Sequence, residues 1–168
     1  MQENALGLVD GFKAVFRDHP LAVTLITAVT PDGPVGLTAS SVSSVAIDPP
    51  ALSFSVTRAT GTAGALLGAA ALQVHFLTPD HLDTAEQFAR SGGERFVDGQ
   101  GWSIDVDGAP RLAGARARLS GRIIDTVAVG GSVLVVAEVT GVEAGEAGDP
   151  LLYVDRRFHR FDPEHAAL

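Results

Sequence analysis

The sequence predicts a mainly β fold, a closed antiparallel barrel carrying a few short helices. Three observations point there. Runs of apolar and β-branched residues recur along the chain, while only three stretches read as helices. The two longest strand candidates, 116–129 and 132–142, are joined at Gly130-Gly131, a dipeptide suited to a tight hairpin turn. Many strands with little helix to cover them favour closure, because a closed barrel leaves no strand edge exposed.

The elements follow in order. Leu6, Val9, Phe12, Val15 and Phe16 recur at helical spacing, so the chain opens with an amphipathic helix that His19-Pro20 ends. The stretch 21–30 is rich in β-branched residues and reads as a strand. Pro31-Asp32-Gly33-Pro34 turns it into 35–38, giving a hairpin. Asp48-Pro49-Pro50 cannot continue a strand and marks a corner before the apolar strand 51–56. Residues 62–71, rich in alanine and leucine, read as a short helix, followed by a strand at 73–77 and a second short helix at 82–90. After the two long strands, 151–154 and 157–161 form a last pair. With no linker, internal repeat or low-complexity segment, residues 1–168 read as one domain.

Composition narrows the function. A hydrophobic content of 46% with 19% charged residues describes a globular protein with a core of its own. The net charge of −8, with no lysine–arginine cluster, argues against nucleic acid as a partner. The absence of cysteine excludes disulfides, thiolate metal sites, iron–sulfur clusters and a cysteine nucleophile. His19, His75, His81, His159 and His165 show no ligand pairing, so no metal is expected. No glycine-rich strand–helix fingerprint is present, which argues against a Rossmann site, and no Gly-x-Ser-x-Gly elbow activates Ser40 or Ser41. The start Met1-Gln2-Glu3-Asn4 lacks a basic leader, and no apolar run is long enough to cross a bilayer. A soluble, cytoplasmic protein without membrane contact is expected. Little acid–base machinery is visible, and redox chemistry carried by a bound cofactor suits such a chain.

The most informative segment is Gly36-Leu37-Thr38-Ala39-Ser40-Ser41-Val42-Ser43-Ser44, which lies between two apolar strands. Hydroxyls and backbone N–H groups grouped on a strand edge can hydrogen-bond a flat polar ligand. A serine-rich surface loop is the plain alternative. The segment resembles the flavin-binding signature of the flavin reductase family, the FMN-binding split barrels. The resemblance runs along most of the chain: Phe16-Arg17-Asp18-His19-Pro20 into the first strand, the aspartate–proline–proline turn, Phe88-Ala89 with Arg95-Phe96, Gly108-Ala109-Pro110-Arg111-Leu112, and the ending Tyr153-Val154-Asp155-Arg156-Arg157-Phe158-His159. It implies a split β-barrel and a flavin-dependent oxidoreductase.

The resemblance also implies a site. Backbone groups of Thr38, Ala39, Ser40 and Ser41 would lie along the pyrimidine edge of the flavin, with Ser43 and Ser44 further along, towards the ribityl chain, and Pro50 a further cofactor-binding residue. Ser55, Thr57, Arg58, Thr60 and Thr62 cluster just beyond the next strand, where they can supply donors to a phosphate; helix capping is the other reading of the threonines. His75 occupies a place where the family often has a polar residue near the cofactor, and a satisfied core histidine is the alternative. Arg95 and Phe96 could close over the ligand from a loop, and Phe158 and His159 could flank a nicotinamide; surface pairing, packing and solvent are the competing fates. Trp102 reads as a loop anchor.

The expected activity is an NAD(P)H:flavin reductase, with FMN or FAD bound, NADH or NADPH as co-substrate, and a partner monooxygenase taking the reduced flavin. A split-barrel flavin carrier or sensor is the alternative, and a pyridoxamine-phosphate-oxidase-like enzyme a weaker third. Relatives form two-fold homodimers, and the same is expected here. One departure stands out. Reductases of the family often carry glycine–aspartate–histidine at the turn between the two long strands, whereas this chain has Val129-Gly130-Gly131-Ser132-Val133. His159 is the candidate substitute donor.

Overall fold

A computed structural model describes residues 2–162, with side chains from residue 7 onward; the Leu6 side chain and His165 lie outside the described residues. The chain runs α1 (Gln2–Asp18), β1 (Leu21–Ala22), β2 (Thr24–Thr30), β3 (Gly33–Ala39), β4 (Ser43–Ile47), β5 (Pro50–Thr57), α2 (Gly61–Leu67), β6 (Leu72–Phe76), α3 (Leu82–Ala89), β7 (Trp102–Ile104), β8 (Pro110–Leu112), β9 (Ala117–Val129), β10 (Ser132–Ala144), β11 (Leu151–Val154) and β12 (Arg157–Arg160). Seven strands form one antiparallel sheet in the order β3-β2-β6-β9-β10-β5-β4, and β1-β11-β12 form a second.

The expected strand 21–30 is divided at Val23. Its N–H donates to the Leu151 carbonyl at 2.8 Å, its carbonyl accepts from Leu77 N–H at 3.3 Å, and Leu151 N–H donates to the Leu77 carbonyl at 3.0 Å. The chain therefore changes sheets at one residue, and β1 belongs to one sheet while β2 belongs to the other. Strand pairing does not close the large sheet fully, which agrees with the split barrel implied by the resemblance and departs from full closure. The terminal strands β3 and β4 share no ladder, although β3 approaches β5. The loop after β3 is fastened to β5 by a side chain: Ser41 Oγ accepts from Ser55 N–H at 2.9 Å. The result is a split barrel with an open edge along β3.

Other boundaries moved for local reasons. Asp48-Pro49 makes the two-residue turn between β4 and β5, and Pro50 opens β5, where a missing N–H matters least. The helix expected at 62–71 ends at Leu67, with the Gly68 N–H donating to the Gly64 carbonyl; Gly64 and Gly68 weaken its continuation. The hairpin β7–β8 is a strand pair that its short, glycine-rich surroundings conceal. The long pair β9–β10 carries bulges near Val136 and near Gly141, which bend it around the core.

Two apolar clusters fill the interior. The first, around Ile26, Leu52, Phe54, Leu66, Val74 and Val135, lies inside the large sheet under α2. The second joins the sheets through Val23, Leu25, Leu77, Phe88, Leu112 and Leu151. Gly36 is required here by space: a Cβ on it would stand 2.8 Å from Phe88 Cε1 and 3.0 Å from Thr27 Cγ2. Gly36→Ala should therefore displace Phe88 and cost about 1–3 kcal/mol; urea denaturation reads this directly, and an unchanged midpoint would contradict the packing described.

Candidate functional site

A cleft of about 460 Å³ opens between the end of β5, the start of α2 and the segment after α3. It gathers Thr57, Arg58, Thr60 and Thr62 from one side and Arg90 and Arg95 from the other, over a floor of Leu37 and Phe88. Three guanidinium groups and no carboxylate line it, so it favours an anion.

Each wall is held in place. Arg58 adopts a left-handed conformation with φ of 58°, and its N–H donates to the Gly131 carbonyl at 2.9 Å, tying the loop to the β9–β10 turn. A non-glycine residue in that region costs about 1 kcal/mol or more and persists only when its surroundings enforce it. Thr60 is the residue before α2, yet its hydroxyl makes no capping bond, so the capping alternative is not the one realised. Arg95 reaches back so that Nη2 donates to the Arg90 carbonyl at 2.8 Å, and its guanidinium lies 5.8 Å from the Phe88 ring centre. Its Nε is buried without a partner, a donor left over for a ligand at this wall.

The serine run divides among several tasks. The Thr38 hydroxyl donates to the Ala85 carbonyl at 2.6 Å, locking β3 onto α3. Thr24 Oγ1 donates to the Ala39 carbonyl at 2.8 Å. With Ser41 engaged by the Ser55 backbone, the hydroxyls of Thr38 and Ser41 serve the fold, and Ser55 lines none of the described clefts. What the run offers a ligand is the free backbone edge of β3, the outermost strand of its sheet. Ser40 lines a separate groove beside α1. Ser43, Ser44 and Pro50 line an apolar hollow of about 400 Å³ with Ile47, Leu119 and Val142, away from the cleft.

The remaining expected residues are dispersed. His75 on β6 is fully buried, with Nε2 3.2 Å from Thr27 Oγ1 and its ring edge-on to Trp102 at 5.7 Å. It is a core histidine rather than a wall of the cleft. Phe96, Phe88 and Trp102 pack against one another at centroid distances of 4.8–5.5 Å, so Phe96 supports the floor from behind. Trp102 anchors β7, not a loop. Phe158 packs on Tyr153 at 5.1 Å. His159 is exposed and, by strand alternation, on the opposite face of β12 from Phe158; it lines none of the described clefts. The cleft residues that sequence reasoning missed include Leu37, Phe88 and Arg90. A cation at the C-terminal end of α3, five residues before Arg95, was the available signal for Arg90.

Comparison with known proteins identifies the family of the chain. The family described as flavin reductase like domain matches residues 16–162. An NADH:FMN oxidoreductase of Rhodococcus qingshengii is 36% identical over 166 residues, covering 96% of this chain and 86% of the relative. The reductase component of a 4-nitrophenol 4-monooxygenase/4-nitrocatechol 2-monooxygenase from Rhodococcus opacus is 33% identical, covering 100% and 90%. Among solved structures, an NADH:FAD oxidoreductase of Streptomyces globisporus C-1027, in complex with NAD and FAD fragments, superposes with a TM-score of 0.83 at 29% identity, covering 92% of this chain and 93% of that one.

Burial of His75, reinforced by the nearby Arg118 charge, lowers its pKa to about 3. The imidazole therefore stays neutral in the folded protein while the unfolded chain takes up a proton below about 6.5. The sign follows: stability is complete above pH 6.5 and falls as the pH drops towards 3, by up to about 1.4 kcal/mol per pH unit from this group. His75→Phe should flatten that part of the acid limb in urea titrations between pH 7 and pH 4 (both roughly bracketing the window), and an identical slope in the variant would remove His75 as its cause.

Proposed function

The chain belongs to the flavin reductase like family, and on that premise we propose that residues 1–168 act as one cytoplasmic NAD(P)H:flavin reductase domain that supplies reduced flavin to a partner monooxygenase. The observation that carries the reading is the acid-free cleft holding Thr57, Arg58, Thr60, Thr62 and Arg95 beside the open edge of β3. Its donor set fits the phosphate of FMN, or of the FMN half of FAD: two guanidinium groups, three hydroxyls and the unpartnered Arg95 Nε. Flavin held there by Arg58, Arg95 and the three threonines would supply a two-electron hydride acceptor.

The protein's own part is placement. Thr38, locked by Ala85, and Ala39, locked by Thr24, hold the edge of β3 rigid for the pyrimidine ring. Phe88 and Leu37 exclude water from beneath the ligand. Hydride transfer needs no general acid, so alignment sets the rate, and the missing imidazole at Ser132 weakens alignment rather than bond chemistry. That same absence favours the alternative of a flavin carrier. Partners of the relatives, named as monooxygenases, support the destination of the electrons.

We also propose a two-fold homodimer. Val45, Ile47 and Val142 are exposed beside the apolar hollow, Ile47 by 90%. Contiguous apolar surface of this kind marks an interface.

Three outcomes are expected. FMN binds the protein, and Arg95→Gln weakens FMN by roughly 10–100-fold while affecting riboflavin far less; equal losses for the two would remove Arg95 from the phosphate. Anaerobic NADH or NADPH bleaches the bound flavin, about tenfold faster in Ser132→His, with His159→Ala testing the C-terminal donor; no bleaching of the parent by either nicotinamide establishes the carrier reading instead. Light scattering gives twice the 17.3 kDa chain mass, and Ile47→Arg gives the monomer.

A further inference from the structure

The two walls of the cleft between β5, α2 and the segment after α3 are held by different means. Arg95 is fixed through its own side chain, by the bond from Nη2 to the Arg90 carbonyl and by the Phe88 ring. Across the cleft, the side chains of Thr57, Arg58, Thr60 and Thr62 enter no ion pair and no hydrogen bond among the described residues. What places this second wall is therefore the backbone that carries it.

That backbone hangs on one turn. The ladder between β5 and β10 reaches its last pair at Thr57 and Ser132, and Ser132 also pairs with Val129, so Gly130-Gly131 closes the long hairpin. One step beyond the ladder, the Gly131 carbonyl accepts from Arg58 N–H at 2.9 Å, and the Arg58 carbonyl accepts from Thr60 N–H at 2.7 Å. These two bonds carry the geometry of the turn to two residues of the cleft wall. They also hold Arg58 at its φ of 58°, because the residue cannot relax without giving up both. The segment is backed by α2, where a Cβ on Gly64 would stand 2.9 Å from the Ala59 carbonyl. Gly130 itself takes φ of 57°, a left-handed value that β-branched residues avoid. No atom lies within 4 Å of where a Cβ on Gly130 or Gly131 would stand, so the demand at Gly130 is conformational and not one of space.

We propose that Gly130 and Gly131 are positioning residues for this cleft: the turn places the Gly131 carbonyl, and that carbonyl sets the backbone from which Arg58 and Thr60 meet an anion opposite Arg95. Neither glycine lines the cleft, so the effect passes through Arg58. The glycine pair is then more than a missing imidazole, since its free carbonyl has a task of its own. The inference rests on the reading of the cleft as the seat of the FMN phosphate for its probe, and on the two backbone bonds for its mechanism.

The test uses the full chain and reads the ratio of FMN to riboflavin affinity, which isolates the contacts made to the phosphate. Gly130→Val, whose side chain resists the left-handed conformation, should lower that ratio by about tenfold. Gly130→Asn, which accepts the conformation, should keep the parental ratio. A turn that merely stabilised the fold would not tell the two walls apart. Gly130→Val should instead lose most of its effect in an Arg58→Gln background and retain it in an Arg95→Gln background. Gly130→Ala, a milder strain at the same position, carries the same comparison if Gly130→Val fails to fold. A parent that binds FMN no better than riboflavin overturns the placement of the phosphate and this proposal with it. Where the parent does prefer FMN, three results overturn the proposal alone: an unchanged ratio in the strained variant, an equal loss in Gly130→Asn, or equal effects in the two arginine backgrounds.

Discussion

Three backbone hydrogen bonds run in a ring through Val23, Leu77 and Leu151, each residue donating to one neighbour and accepting from the other. All three side chains are buried, so these groups cannot be satisfied by water, and each unmade bond would carry a desolvation cost of about 1–3 kcal/mol. The ring compels the first strand to leave one sheet and enter the other at a single residue. It thereby positions the C-terminal hairpin, and with it Tyr153 and Arg156, against the end of α1. It also fixes where β2 begins, and hence the register of β3 and the orientation of the open edge.

That edge shows how the site is divided between side chains and backbone. The hydroxyls of Thr38 and Ser41 are engaged within the fold, one on the Ala85 carbonyl and one on the Ser55 backbone. They stiffen β3, the outermost strand of its sheet, whose peptide groups carry no ladder on that side. Stiffness is worth having here, because an edge strand free to adjust would lose entropy on every binding event. The cleft beyond β5 is built differently, from side chains: guanidinium groups and threonines projecting from three separate segments, with Arg58 held in a strained conformation by its bond to Gly131.

Much of the fold was legible from local pattern. The period of α1, the hairpin at Gly130-Gly131 and the last strand pair depend on neighbours in sequence, and the structure places them close to the expected boundaries. The threonine–arginine cluster was legible because its members lie within a few residues of one another. What was not legible depends on distant partners. Nothing near Val23 announces a sheet change, since its bonds go to Leu77 and Leu151. Ser43 and Ser44 belong by sequence to the hydroxyl run, yet the pairing of β4 with β5 carries them to an apolar hollow. His75 looks polar in sequence, and only the packing of Trp102 shows that it is enclosed. Arg90 escaped notice because the threonines across the cleft from it are far away in the chain.

Phe88 belongs at once to the floor of the cleft between β5, α2 and the segment after α3 and to the core that joins the two sheets. Its ring fits only because Gly36 offers no side chain. Ligand preference and conformational stability are therefore not separable traits in this protein. Reshaping the cleft from below means re-solving the packing of Trp102, Phe96 and Gly36 together. Changes of cofactor preference among such chains are accordingly expected at the rim, in the residues that the core does not share.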